Sequence, residues 1–463
     1  MTYTRRDALR LAALAGLGTA LPRGALASED FQALAARVAQ LQLLPEGYPE
    51  TEVWGYDGSI PGPEIRLAQG TRAQRRLLNE LPQPTSVHWH GIRIDNAMDG
   101  VSGLTQDAVA PGGHFDYDFI VPDAGTYWYH SHNRSWEQVA RGLRGALIVE
   151  EPEAPEVDRE EVLILDDWLM DPDSGQIDDS FDHPMMMSHG GRTGNFITTN
   201  GQYNLSIPAR RHERLRLRLI NAATARIFPL ALSGLEGWIV ALDGMPLPEP
   251  LPVTETLVLG PAQRADLIVD ITAEDGETAD LVQQTEREAL SQVAFPVGGS
   301  LGNARRPAPG ALPPNPKMHR PDLGEARKLR LVMSGGAMGR MQSAVHDGSR
   351  KSFRELVSAG QFWALNDTVG MTDTPLAALS LGEPVRMELV NDTVFPHAMH
   401  LHGMHFREVS GDGALGPMRD TLLVGAGESR EIAFVADNPG DWLFHCHMLS
   451  HAASGMTTWM RVG

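Results

Sequence analysis

Three stretches of this chain follow one pattern, and that repetition limits the folds open to it more than any other feature. Arg75-Arg76-Leu77-Leu78-Asn79, Leu215-Arg216-Leu217-Arg218-Leu219-Ile220-Asn221 and Val385-Arg386-Met387-Glu388-Leu389-Val390-Asn391 each have strand composition, and each ends in Asn. In the second, Leu215, Leu217 and Leu219 alternate with Arg214, Arg216 and Arg218, as a half-buried strand should. Nine and eleven residues after Asn79 stand His88 and His90; the same steps from Asn391 reach His400 and His402, and from Asn221 they reach Leu230 and Leu232. Further on, Gly125 precedes His130-Ser131-His132 and Gly440 precedes His445-Cys446-His447, the first His lying five residues after the Gly in both. The middle copy ends in Arg264-Ala265-Asp266-Leu267-Ile268-Val269-Asp270, a strand with no such pair. One β domain copied three times over 463 residues accounts for this, with histidine pairs only in the first and third copies.

The 47 Gly and 32 Pro supply turns for many short strands. The expected class is therefore all-β, with three tandem Greek-key β-sandwiches. The expected domains are residues 38–155, 156–295 and 326–463, with a Pro/Gly-rich linker over 296–325. A net charge of −20 is the opposite of a nucleic-acid-binding footprint. Residues 1–27 read as a targeting segment: Arg5-Arg6, an apolar stretch from Leu11 to Leu21 too short to span a bilayer, and a small-residue cleavage pattern at Ala25-Leu26-Ala27. The paired arginines resemble a twin-arginine signal, so export to the periplasm, cleavage after Ala27 and no membrane-spanning helix are expected. The lone Cys446 cannot close a disulfide within the chain. It is a free thiol, an intermolecular bridge or a metal ligand.

Ten of the 17 histidines fall in four groups: His88 and His90; His130 and His132; His397, His400 and His402; His445, His447 and His451. On a strand, H-x-H points both rings to one face, roughly 7 Å apart, and imidazole suits copper, zinc, iron and nickel. Cys446 lies on the opposite face from His445 and His447 and so serves a second site. His397 upstream, His451 five residues on and Met456 ten residues on complete a set of two His, one thiolate and an axial Met. These are the ligands of a blue-copper electron-transfer site.

His88-Trp89-His90-Gly91, His130-Ser131-His132, His397-Ala398-Met399-His400-Leu401-His402-Gly403 and His445-Cys446-His447 with His451 and Met456 closely resemble the copper motifs of the multicopper oxidases. That family includes laccases, ascorbate oxidases, cuprous oxidases and ferroxidases. The resemblance covers nearly all of the chain after residue 27. It implies three cupredoxin-like domains and four copper ions. Type 1 copper would take His397, Cys446, His451 and Met456; type 2, His88 and His400; the type 3 pair, His90, His130, His132, His402, His445 and His447. The trinuclear cluster would lie between the first and third domains, with Cys446 as the electron entry. Asp99, eleven residues after His88, stands where the family carries an acid near the cluster and is a candidate proton relay.

The implied reaction is laccase-like: one-electron oxidation of a small donor, phenol or aromatic amine, coupled to reduction of O₂ to water, by a monomer. The alternatives are a cuprous oxidase or ferroxidase acting on Cu(I) or Fe(II), or a periplasmic copper-sequestering protein. Met185-Met186-Met187, flanked by His183 and His189, and Met333, Met338 and Met341 are soft enough for Cu(I), yet methionine also fills cores. Ala452, Thr393 and Phe395 depart from the cuprous-oxidase pattern, which favours phenols at an open type 1 surface. A copper nitrite reductase or a non-enzymatic relative would be short of ligands that this chain has.

Overall fold

The computed structural model describes residues 31–463 apart from 286–287 and 303–304. The expected targeting segment and its cleavage point lie outside the described residues. No helix among them is long and apolar enough to cross a membrane.

Each repeat builds two facing sheets. In the first, the strands Thr51–Tyr56, Gln32–Leu41, Arg72–Asn79 and His114–Ile120 pair in that order. They face Gly62–Ala68, Arg144–Glu150, Gly125–Ser131 and Val87–His90. The second and third copies follow the same plan with six-stranded and five- or six-stranded sheets. The first strand begins at Gln32, ahead of the expected boundary. The strand Ala289–Ser300 runs five residues into the expected linker; opposite Thr278–Gln284 it pairs with the short strands Leu205–Ser206 and Ala209–Arg211, and Pro296 falls between the residues that those two strands pair with.

The repeated strands Arg72–Asn79, Arg214–Asn221 and Pro384–Asn391 occupy one place in each copy. Each pairs in parallel with the opening strand of its domain and antiparallel with a later one. The closing Asn makes the same bonds all three times. Its Oδ1 accepts the N–H two residues on: Leu81 at 3.0 Å, Ala223 at 3.0 Å and Thr393 at 3.0 Å. Its Nδ2 donates to a carbonyl four or five residues on, of Gln83, Arg226 or Phe395. It also donates across to Val109, Leu259 or Gly425. A buried Asn thus fixes the turn that leads into the strand where the histidines stand, which accounts for the constant nine-residue step.

The arginine face of Arg214–Asn221 is buried rather than solvated. Arg216 and Arg218 are each under 2% exposed. Arg216 meets Glu151 and Asp266 at 2.6 Å each, and Arg218 meets Glu160 at 2.7 Å and Asp266 at 3.1 Å. Glu160 and Asp266 stand on the neighbouring strands of the same sheet, and the end of the first domain lies over them and brings Glu151. Buried apolar side chains of the first and third domains form one continuous cluster, whereas the middle domain keeps its own. Asn438 ties the outer domains by donating to Ile94 O and Gly403 O at 2.9 Å each.

Candidate metal centre

Strand register sets the first level of the site. In the first domain His88 lies opposite His130, and in the third His400 lies opposite His445 while Met399 lies opposite Cys446. Packing of these two sheets then stacks His88 on His402, with ring centroids 4.0 Å apart, and His90 on His400 at 3.8 Å. His88, His90, His130, His132, His400, His402, His445 and His447 therefore meet in one nest between the outer domains. All but half-buried His132 are at most 2% exposed.

Four rings of the nest engage their outward nitrogen. His88 Nδ1 donates to Asp99 O at 2.8 Å, His400 Nδ1 to Asp420 O at 3.0 Å, His130 Nδ1 to Ser131 O at 2.9 Å and His445 Nδ1 to Cys446 O at 2.9 Å. The inward nitrogens do not. His88 Nε2, His132 Nε2 and His400 Nε2 are buried with no hydrogen-bond partner. His402 Nε2 faces His445 Nε2 at 3.1 Å, and His130 Nε2 faces His447 Nε2 at 3.4 Å. Burial, reinforced by neighbouring rings, holds His90, His130, His402, His445 and His447 well below the ordinary imidazole range, and His132 at about 3. These rings are neutral at neutral pH, with bare lone pairs converging on one another. Unpaired buried acceptors are costly, and inward-facing neutral imidazoles are the donor set a cluster of metal ions satisfies.

The second group stands on the far face of the strand Gly440–Cys446. His397 Nδ1 and His451 Nδ1 lie 3.0 Å apart, and Cys446 Sγ is 3.7 Å from each. Met456 is fully buried beside them, its carbonyl accepting the Cys446 N–H at 3.1 Å. Burial pushes the Cys446 thiol up to about 12, so a thiolate there requires a cation. The outer nitrogens are again engaged: His397 Nε2 with Thr393 Oγ1 at 2.9 Å and His451 Nε2 with His189 O at 2.6 Å.

That last bond overturns the expectation of an open surface. His451 is fully buried under the segment His183–Gly190 of the middle domain. The segment is pinned to the third domain, with Trp363 Nε1 donating to Met187 O at 2.6 Å and Ala337 N to Ser188 O at 2.7 Å. The methionines divide accordingly. Met187 and Met333 are core, Met186 and Met341 half-buried, and Met185 and Met338 are 61% and 78% exposed.

Asp99 is fully buried rather than a loop residue in water. Its Oδ1 is 3.2 Å from His88 Nδ1 and its Oδ2 3.0 Å from His402 Nδ1, so it touches histidines of both outer domains. Sequence reasoning missed Asp420, Arg264, Trp363 and the His189 carbonyl. Asp420 Oδ1 lies 3.4 Å from His90 Nε2. Burial alone would raise its carboxyl; the Arg264 guanidinium and the contacts with His400 and His90 together outweigh that and hold it well below the usual range. No local pattern marks these residues, because each meets partners far away in sequence: Asp420 meets His90, Arg264 meets Asp420, Trp363 meets His451 and His189 O meets His451.

With that geometry in hand, the comparisons are specific. Residues 37–154, 159–284 and 347–463 match sequence profiles described as multicopper oxidase. The chain is similar to multicopper oxidase MmcO of Mycobacterium tuberculosis, 31% identical over 446 residues that cover 89% of this chain and 83% of that one. Among solved structures it is similar to Lac15 from a marine microbial metagenome, at 44% identity and TM-score 0.76, covering 93% of this chain and 100% of that one. It is also similar to a multi-copper oxidase from Pseudomonas thermotolerans, at 34% identity and TM-score 0.81, covering 93% and 98%.

Proposed function

The chain belongs to the multicopper oxidase family, and on that premise we propose a laccase-like enzyme with four coppers, taking electrons singly from phenols or aromatic amines and reducing O₂ to water. The observation that carries this reading is His445-Cys446-His447 at the end of the strand Gly440–Cys446, which turns the thiol towards the imidazoles of His397 and His451 on one side and its own flanking histidines to the other. His397, Cys446, His451 and Met456 form the type 1 site in this reading. His88 and His400 hold type 2, and His90, His130, His132, His402, His445 and His447 hold the type 3 pair. Copper at these sites supplies the one-electron redox steps and the O₂ binding that side chains alone lack.

The protein's own part is positional. The Cys446 backbone joins the two sites covalently, so the path between them does not depend on a mobile contact. His445 Nδ1 donates to Cys446 O, which shortens that path further. Asp99 braces His88 and His402, and its carboxylate is placed to pass protons towards the cluster. Thr393 and His189 O hold the type 1 rings with Nδ1 inward. At the donor side, Thr393, Phe395 and Ala452 offer no acid to a metal cation, which favours an organic reductant. The exposed thioethers of Met185 and Met338, on segments joined through Ser188 O and Ala337 N, favour Cu(I) as the second reading. Export through Arg5-Arg6 and a monomeric state complete the proposal.

The test compares copper content and blue absorbance in the native protein and Cys446→Ser. The native protein is expected to be blue with about four coppers per chain, as the donor set implies. The variant should lose the colour and the turnover. A Cys446→Ser protein that stays blue rules the assignment out.

A further inference from the structure

The middle domain gives no histidine to the nest, yet it sends one side chain to its edge. Arg264, the first residue of the strand Arg264–Ile271, is fully buried where all three domains meet. Its Nη1 and Nη2 donate to Asp420 Oδ1 and Oδ2 of the third domain at 2.8 and 2.6 Å. Its Nε donates to Thr126 O of the first domain at 3.2 Å, and Nη1 also to Ala262 O at 3.1 Å. The residue's own N–H donates to Asp243 Oδ1 at 2.8 Å. Such a fork fixes both the position and the plane of a carboxylate.

The carboxylate so fixed lies against the nest. Asp420 Oδ1 is 3.4 Å from His90 Nε2 and 3.6 Å from His400 Nδ1, and it accepts Thr421 Oγ1 at 2.8 Å. Thr421 Oγ1 is itself 3.2 Å from His400 Nδ1. The pair also accounts for a glycine in the first histidine motif. A Cβ on Gly91 would sit 2.3 Å from Arg264 Nη2 and 2.7 Å from Asp420 Oδ2. The chain next to His90 is therefore stripped of a side chain where a guanidinium from another domain passes.

We propose that Arg264 is a positioning residue for the trinuclear copper site: it holds Asp420 so that His90 and His400 present their free nitrogens inward. The middle domain is then part of the copper site and not only a spacer. The inference rests on the reading of His88, His90 and His400 as copper ligands.

The experiment uses the copper-loaded full protein with Arg264→Lys, which keeps the charge and loses the fork. Copper retention under graded chelator and the type 2 paramagnetic resonance signal are measured beside the blue absorbance. The expected result is an unchanged blue site, with copper at the His88/His400 position bound about 10- to 100-fold more weakly, as for other outer partners of metal ligands, and with altered hyperfine splitting. A merely structural role would lower stability without that selective change. If Arg264→Lys does not fold, Arg264→Met with Asp420→Asn removes both charges together and is expected to show the same selective weakening. Native type 2 affinity and an unchanged signal in the folded variant overturn the proposal. His88→Ala serves as reference. Loss of that copper in His88→Ala but not in the Arg264 variant refutes the positioning role alone, whereas loss in neither refutes the ligand reading beneath it.

Discussion

Gly91→Ala separates two costs that the structure combines at one residue. Gly91 has φ of +86°, and its missing Cβ would meet Arg264 Nη2 at 2.3 Å, Asp420 Oδ2 at 2.7 Å and Tyr127 Cδ1 at 3.1 Å. The left-handed backbone alone costs an alanine about 1–2 kcal/mol. Forcing a methyl into a packed site adds about 1–3 kcal/mol, and here the obstacle is a bidentate ion pair with both partners fully buried. The sum is about 2–5 kcal/mol, which lowers the melting midpoint by roughly 4–20 °C for a unit of domain size. Gly70→Ala is the control: its φ is +78°, but nothing lies within 4 Å of its Cβ, so it bears only the backbone cost. Thermal melts of native protein, Gly70→Ala and Gly91→Ala, all copper-loaded, give the comparison. Gly91→Ala should be the less stable of the two variants and should release copper from the His88/His400 position first. A Gly91→Ala protein no less stable than Gly70→Ala, with native copper retention, refutes the close-approach argument.

Three further outcomes are expected. His130→Ala should leave the blue centre reducible by a donor under anaerobic titration, while O₂ turnover falls by more than the roughly 10–100-fold lost with an outer-shell partner; loss of the blue band in folded, copper-loaded protein counts against two separate sites. Met456→Leu should raise the type 1 potential, because the oxidised metal loses a donor; redox titration showing an equal or lower value refutes the axial role. Met185→Leu with Met338→Leu should leave phenol oxidation within about twofold, since both thioethers are exposed and Leu keeps size and apolarity; a selective loss of Cu(I) oxidation at low copper would reverse the ranking of donors.

What the sequence disclosed and what it withheld divide along sequence distance. The three Asn-ending strands and the H-x-H pairs are local patterns, and the bonds of Asn79, Asn221 and Asn391 show why the nine-residue step is constant. The partition of Cys446 from its neighbours needed only strand alternation. Alternation misled at Arg216 and Arg218, because it records which residues share a face and not what covers that face; Glu151 arrives from the end of the first domain. The open type 1 surface failed for the same reason. The carbonyl that caps His451 belongs to His189, 262 residues away, and a backbone atom leaves no trace in the residue type. Asp99 was legible through its offset from His88, but its contact with His402 spans 303 residues. Arg264 and Asp420 carried no sequence signal, since nothing local distinguishes a buried interdomain pair from two surface charges.

The central claim is that electrons enter singly at the Cys446 site and leave together to O₂ at the histidine nest. The ratio of a one-electron phenol donor oxidised to O₂ consumed, followed by simultaneous absorbance and oxygen-electrode recording, tests it most directly. Four donors per O₂, with no hydrogen peroxide accumulating, is the predicted result. Two donors per O₂ with stoichiometric peroxide would contradict it, because the nest would then not be completing the reduction to water.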